Sequence, residues 1–388
     1  YKHMTLSGLR SEDKGRNQIR ILQQNCWMDE TDRSRRTEDL IRGIMLMDTD
    51  IVCLQEVVTS DVKMALQTQL GERYHILETN HTSPSFPNLA YVPCGVIISF
   101  AFIVHCIGWK LSILTLILLA TGVLVLSPQG LLSCANYVIT NDSNPSLDMM
   151  GQSVLVRRRD DMNKSRGRGW ESANIVGIYP FSNEMRGYPE PTSLTKTIFY
   201  WVQHCFIRPG FIVVRAQGGF DGFQDAWILS THLVVSSPMA DHNPKRLSQV
   251  QYMNTILSQH MISEASSAYK GSKNSDESFI VIAGDFNAPP ASSEILFMGS
   301  AGFTNSCEPG FITRSFPVEP HISFRTWDRE LNPYTESDLY EPDNCLDYIF
   351  FSGKGISCVK AERVFDGIEI PLVSDHFGVL STLESSDD

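Results

Sequence analysis

Strand-like runs that alternate with helical ones and end in acidic or histidine residues predict an α/β protein with its functional site at the strand ends. Two kinds of pattern carry that expectation. Residues 18–27, QIRILQQNCW, alternate apolar and polar side chains with the period of a strand. Residues 37–47 instead place Leu40, Ile41, Ile44 and Met45 on one helical face. The series continues with a second strand at 50–56, DIVCLQE, and another at 226–232, AWILSTH, that runs into a polar turn. Asn243 and Pro244 form an N-cap and first-turn pair, opening a helix with Leu247, Val250, Ile256 and Leu257 inward. Two buried strands follow, 278–285 and 345–351.

Length and composition narrow the class. A chain of 388 residues, 42% hydrophobic, can bury one large core or two modest ones. Its net charge of −12 argues against broad, sequence-blind binding to a phosphate backbone, so nucleic acid is not expected as a partner. Nine cysteines without a C-x-x-C spacing signal neither a disulfide framework nor a zinc site. They read as thiols of a reducing compartment, although the sequons at Asn80 and Asn141 point the other way. Residues 1–17 read as a polar leader without the apolar core of a signal peptide.

One segment departs from the α/β pattern. Residues 95–127 contain a single charged side chain, Lys110, and have no polar helical face, which predicts contact with a membrane. Polar residues that must converge in one site lie on both sides of it, so the segment has to return to the side it left. Gly108, Trp109 and Lys110 supply a turn between two arms. Each arm reaches roughly 20–25 Å, short of a ~30 Å hydrocarbon core, so a re-entrant hairpin is expected, with a two-pass hairpin second. Downstream, the basic run over 157–168 is expected to attract anionic lipid and to keep its side of the membrane cytoplasmic. The resulting organisation is a leader 1–17, a catalytic part 18–93, a hydrophobic membrane insert 94–135, a polar and basic loop 136–170 and a second catalytic part 171–388.

The strand ends carry the chemistry. Taken singly, Asn25 reads as turn chemistry, Glu56 as a strand terminus, His232 as a core histidine, Asp285–Asn287 as an Asx turn and Asp375–His376 as a surface ion pair. No single structural account covers all five. Phosphodiester hydrolysis does: a hard carboxylate such as Glu56 holds a metal, and a histidine activates water near neutral pH. A second carboxylate, a role open to Asp347, orients that histidine, while Asn287 and His232 can donate to the transition state.

These motifs, LQQNCW, CLQEV, STHL, GDFNAPP, CLDYIF and VSDHFG in that order, resemble the endonuclease/exonuclease/phosphatase superfamily of DNase I-like fold. The resemblance covers the chain apart from its leader and the 94–170 insert. It implies a four-layer α/β/β/α sandwich carrying an inserted hydrophobic membrane hairpin, and a phosphodiesterase dependent on Mg²⁺ or Mn²⁺. Carried over by motif, Asn25 and Glu56 organise the metal, and Asp375 supports the metal water or its loop. Asp285 and Asn287 position the attacking water and the phosphate. His232 stabilises the transition state, and His376, held by Asp347, is the base; the alternative within the family gives that task to Asp285. The Asn-Cys-Trp after the first strand and the TWD…N run at Thr326–Asn332 are similar to neutral and bacterial sphingomyelinases. Together with the apolar insert they imply a membrane-associated enzyme that hydrolyses a phospholipid head group, sphingomyelin to ceramide and phosphocholine first. The alternative is a membrane-tethered nucleic-acid phosphodiesterase similar to the tyrosyl-DNA enzymes. An inositol-phosphate phosphatase would require a W-x-D-R-type motif before the last strand, and a non-catalytic scaffold would require a lost motif residue; neither is found.

Overall fold

The computed structural model describes residues 17–27, 31–57, 59–79, 151–159, 169–182, 185, 210–219, 223–234, 243–268, 279–307, 325–328, 331–334, 345–368 and 370–386. All belong to one compact unit drawn from Tyr1–Thr79, Met149–Thr192 and Ile207–Asp388. The apolar stretch 95–127 and the basic positions 160–168 lie outside the described residues. Among the described residues no helix is long and apolar enough to cross a membrane.

The first half builds β1 (Gln18–Asn25), α1 (Arg33–Met47), β2 (Ile51–Gln55), α2 (Ser60–Leu70), β3 (Tyr74–Glu78) and β4 (Ser153–Arg157). The second builds β5 (Ser172–Pro180), β6 (Gly210–Gln217), β7 (Asp225–His232), α3 (Pro244–Ala268), β8 (Phe279–Asp285) and α4 (Ser293–Ser300). The chain closes with β9 (Thr304–Asn305), β10 (Asp347–Ser352), β11 (Ile356–Val364) and β12 (Gly378–Ser385). These strands form two mixed six-stranded sheets, ordered β11-β12-β1-β2-β4-β3 and β5-β6-β7-β8-β10-β9. Each sheet has one parallel pair, β1–β2 and β7–β8, and each pair is joined by a crossover containing a helix, α1 and α3 respectively.

Side-chain alternation sorts these sheets into an α/β sandwich. On one face of the first sheet, Leu22, Val52, Leu54 and Leu380 bury against Leu40, Ile41, Ile44 and Met47 of α1 and Val62, Leu66 and Leu70 of α2. On the opposite face Ile19, Ile21, Ile51, Cys53, Val154 and Val156 join the core built with the second sheet. Val250, Met253 and Leu257 of α3 and Ile295 and Met298 of α4 complete that core. Each such aliphatic side chain contributes about 1.5–3 kcal/mol on burial. The Asn243 cap is present, its Oδ1 accepting from the backbone N–H of Lys245 at 2.9 Å.

Two sequence expectations need correction. Met45 is 46% exposed, and Met47 takes its place in the core. The buried stripe of α1 runs through Arg36, Leu40, Ile44 and Met47, and Met45 lies roughly 145° from its centre at ~100° per residue. The region assigned to a loop, 136–170, contains β4, whose five residues are all buried inside the first sheet. Its apolar run is too short to stand out beside the arginines that follow. Arg157 accordingly turns inward, paired with Asp48 and Asp50, and Arg159 pairs with Glu171, so neither is a free cation for anionic lipid.

At Gly284 two neighbouring strands of the second sheet, β7 and β8, depend on close backbone approach. A Cβ there would lie 2.0 Å from the carbonyl oxygen of Thr231 on the neighbouring parallel strand. Gly284→Ala is expected to cost about 1–3 kcal/mol in urea unfolding, by forcing apart strands that end in His232 and Asp285.

Candidate active site

Register assembles the site. His232 pairs with Asp285 across β7 and β8, and Asp285 pairs with Asp347 across β8 and β10, so three polar residues stand in one row at the rim of the second sheet. From the facing sheet, Asn25 ends β1, and Glu56 follows β2. Backbones turn sharply at these exits: Trp27, Glu56 and Asn287 adopt φ of 50°, 61° and 49°. Left-handed backbone at a non-glycine residue costs about 1–3 kcal/mol, and such strain concentrates at functional sites.

Asp285 is the hub. Its Oδ2 accepts from Asn25 Nδ2 at 3.1 Å and lies 3.4 Å from His232 Nε2 and 3.7 Å from His376 Nε2. The backbone N–H of Asn287 donates to its Oδ1 at 2.8 Å. Asn25 Nδ2 also donates to Glu56 Oε1 at 2.9 Å, so one amide bridges the two carboxylates. His376 Nδ1 meets Asp347 Oδ2 at 2.7 Å, and Gln23 Nε2 donates to Asp347 Oδ1 at 2.8 Å. Asp285, Asp347 and His376 bring their ligand-type atoms within 4.8 Å of one another. Because Nδ1 of His376 is committed to Asp347, that trio reads as an oriented imidazole rather than a metal cage.

Electrostatics follow the same division. Burial disfavours charge on His376, but Asp347 and Asp285 outweigh it and hold the imidazole well above its ordinary value. Burial pushes the Asp285 carboxyl up, against the pull of His376 and His232. Asp375 is pushed up to about 7, by burial first and then by Glu56 and Asp285, despite the pull of His376. Four carboxylates, Glu56, Asp285, Asp347 and Asp375, thus share a buried rim with two imidazoles, an oxygen-rich excess of negative charge that fits a hard divalent cation. Among the described residues His232 Nδ1 has no hydrogen-bond partner, leaving a buried polar atom 4.0 Å from Glu56 Oε1.

All eight sequence-derived residues therefore gather at one rim, with one difference of detail. Asn287 Nδ2 donates to the carbonyl of Leu233 at 2.9 Å, so this amide also fastens the turn after β7. Several supporting residues carry no recognisable sequence signal as supports. Gln23, Gln55 and Ser230 form a buried hydrogen-bonded chain between the sheets beneath the site. The TWD…N run frames Asp347 and the His376 loop: Thr326 Oγ1 accepts from the backbone N–H groups of Leu346 and Asp347 at 2.9 and 3.2 Å, and Asn332 Nδ2 donates to the carbonyl of Ser374 at 2.9 Å. Trp327 stands edge-on to the His376 ring with centroids 4.9 Å apart.

Residues 184–376 match the Endonuclease/Exonuclease/phosphatase family. Among solved structures, the fold is similar to TDP2 from D. rerio complexed with single-strand DNA product, at 13% identity and a TM-score of 0.52, covering 95% of this chain and 99% of that one. SmcL is similar at 13% identity and a TM-score of 0.50, with 95% and 99% covered. Truncated TDP2 from Caenorhabditis elegans is similar at 14% identity and a TM-score of 0.50, with 95% and 98% covered. No curated protein sequence matches the chain. Identities this low carry the architecture and leave the substrate open. The motif order, the paired sheets and the carboxylate–histidine rim agree with that match of residues 184–376 to the Endonuclease/Exonuclease/phosphatase family, a family of phosphodiesterase and nuclease type.

Proposed function

We propose that this chain is a divalent-metal-dependent phosphodiesterase acting on a membrane phospholipid head group, with sphingomyelin, cleaved to ceramide and phosphocholine, as its first candidate substrate. The observation that carries the lipid reading is where the apolar segment is rooted. Residues 79 and 151 flank the stretch that contains 95–127, and the carbonyl of Gly151 accepts from Val57 N–H at 2.7 Å, one residue from Glu56. A sequence in which this apolar segment precedes Gly151, whose carbonyl is bonded next to Glu56, suits an enzyme whose phosphodiester lies in a bilayer interface. Cys26, Cys53 and Cys358, thiols outside any disulfide among the described residues, support a cytoplasmic catalytic domain at that membrane. Arg158 and the basic residues at 164, 166 and 168 are the candidates for anionic lipid.

Glu56, Asn25 and Asp375 would hold Mg²⁺ or Mn²⁺, with Asp285 beside them. When bound, the cation would draw charge from the phosphoryl oxygens. His376 takes the proton of the attacking water at Nε2, and Asp347 fixes the tautomer through Nδ1 and stabilises the charged ring. Asp285, 3.7 Å from that nitrogen, orients the water or shares its proton. His232 and Asn287 supply donors to the in-line transition state.

The test is phosphocholine release from sphingomyelin in mixed micelles with Mg²⁺, run beside single-stranded and 5′-blocked DNA, with EDTA and His376→Ala as controls. Phosphocholine release lost in both controls is the expected result. Cleavage confined to DNA would overturn the lipid reading and make the apolar segment a tether for a nucleic-acid enzyme.

A further inference from the structure

We propose that Arg36 is a positioning residue that fastens the turn after Asn25 to the loop carrying Asp375 and His376, and so sets the spacing between the two halves of the centre. The proposal rests on the reading above that both halves serve one reaction. Arg36 is 2% exposed and occupies the first turn of the buried stripe of α1, where every later member is apolar or small. A cation there opposes the helix dipole, so helix stability does not account for it. Its hydrogen bonds do. Nε donates to the carbonyl of Thr31 at 2.8 Å, and Nη1 donates to the carbonyls of Cys26 at 2.9 Å, Trp27 at 3.1 Å and Val373 at 3.0 Å.

Those four carbonyls come from two segments far apart in sequence. Cys26 and Trp27 directly follow Asn25, and Val373 precedes Ser374, Asp375 and His376. One rigid guanidinium fork thus ties the metal side of the rim to the base side. Its Cζ also lies 4.7 Å from the Trp27 ring centroid and 5.9 Å from that of Tyr334, and those two rings are 5.4 Å apart. The aromatic pair therefore adds a cation–π contact to the carbonyl bonds that seat the guanidinium. Gln24 is a second strap, its Nε2 donating to the carbonyls of Asn25 at 2.5 Å and His376 at 3.1 Å. Nη1 alone reaches both segments, and the planar fork holds it there through the Nε bond to Thr31 and the stack on Trp27; lysine keeps the charge but loses both of these supports.

The experiment compares Arg36→Lys and Arg36→Gln with Ile44→Ala, a control about two turns further along the same helix that loses only buried aliphatic contact. Turnover of bis(p-nitrophenyl) phosphate with Mg²⁺ is measured with melting temperature and amide hydrogen exchange. Arg36→Lys is expected to lower kcat about 10–100-fold with little change in KM, the scale of an ångström-sized misplacement. Segments 24–27 and 373–378 should lose exchange protection together. Ile44→Ala should lower the melting temperature while keeping kcat. Full kcat in Arg36→Lys, loss of protection in one segment alone, or kcat falling with melting temperature in Ile44→Ala as well would overturn the proposal. If His376→Ala retains turnover, the catalytic reading fails separately, and the exchange data still decide whether Arg36 joins the two loops.

Discussion

His376→Ala is expected to lower kcat by about 10²–10⁴-fold while leaving the fold intact, the range for removing a positioned general base. The ring is 5% exposed, so its loss leaves a small cavity beside Trp327, and circular dichroism should be unchanged. Asp347→Asn tests the same dyad through pH. Asp347 stabilises the charged imidazole, so the folded-state value of His376 is raised, and the base form is gained only as pH rises through it. Activity therefore falls toward acid pH. Asparagine removes the negative charge while keeping the shape, so the opposing effect of burial gains weight and the acid limb of kcat/KM should move to lower pH, with a reduced plateau from poorer orientation. An unmoved limb in Asp347→Asn would assign the limb to another group. Asp285, whose carboxyl is itself raised by burial, would then be the base to test by Asp285→Asn.

The ease with which these residues are read from sequence follows from where they sit. Asn25, His232 and Asp285 end strands whose apolar alternation is plain, and strand periodicity puts them on the face between the sheets. The row His232–Asp285–Asp347 needs only correct pairing of β7, β8 and β10 to form. Arg36, Gln23 and Gln24 are a different case. They interrupt apolar stripes as a surface residue would, and their partners are carbonyls and carboxylates from segments hundreds of positions away, such as Val373, Asp347 and His376. Local pattern carries no trace of such pairings. The same limit hid β4, whose place inside the first sheet is set by antiparallel pairing on both sides with β2 and β3. Thr326 and Asn332 are visible as a motif, yet their roles in holding Asp347 and the Ser374 loop emerge only from hydrogen bonds across the fold.

Glu56→Gln is expected to raise the Mg²⁺ concentration needed for half-maximal activity by at least about 10-fold, the effect of removing one carboxylate from a site that binds a hard cation through one or two of them. The substitution is nearly isosteric, and the new amide oxygen would still be within reach of Asn25 Nδ2, which donates to Glu56 Oε1 at 2.9 Å, so the site's frame should survive. The pH dependence of metal binding distinguishes this from a general loss of structure. With Asp375 pushed up to about 7, lowering pH through that value protonates a carboxylate on the cation's side of the rim, so binding should weaken as pH falls. Glu56 is one of the charges that raise Asp375, behind burial itself. Glu56→Gln should therefore shift the proton competition to lower pH even as it weakens the cation at every pH. Calorimetric Mn²⁺ titrations at several pH values, with protons released counted from the buffer dependence, read both effects at once. Equal Mn²⁺ affinity in wild type and Glu56→Gln would remove Glu56 from the metal set and leave Asp285 and Asp375 as the carboxylates to substitute next.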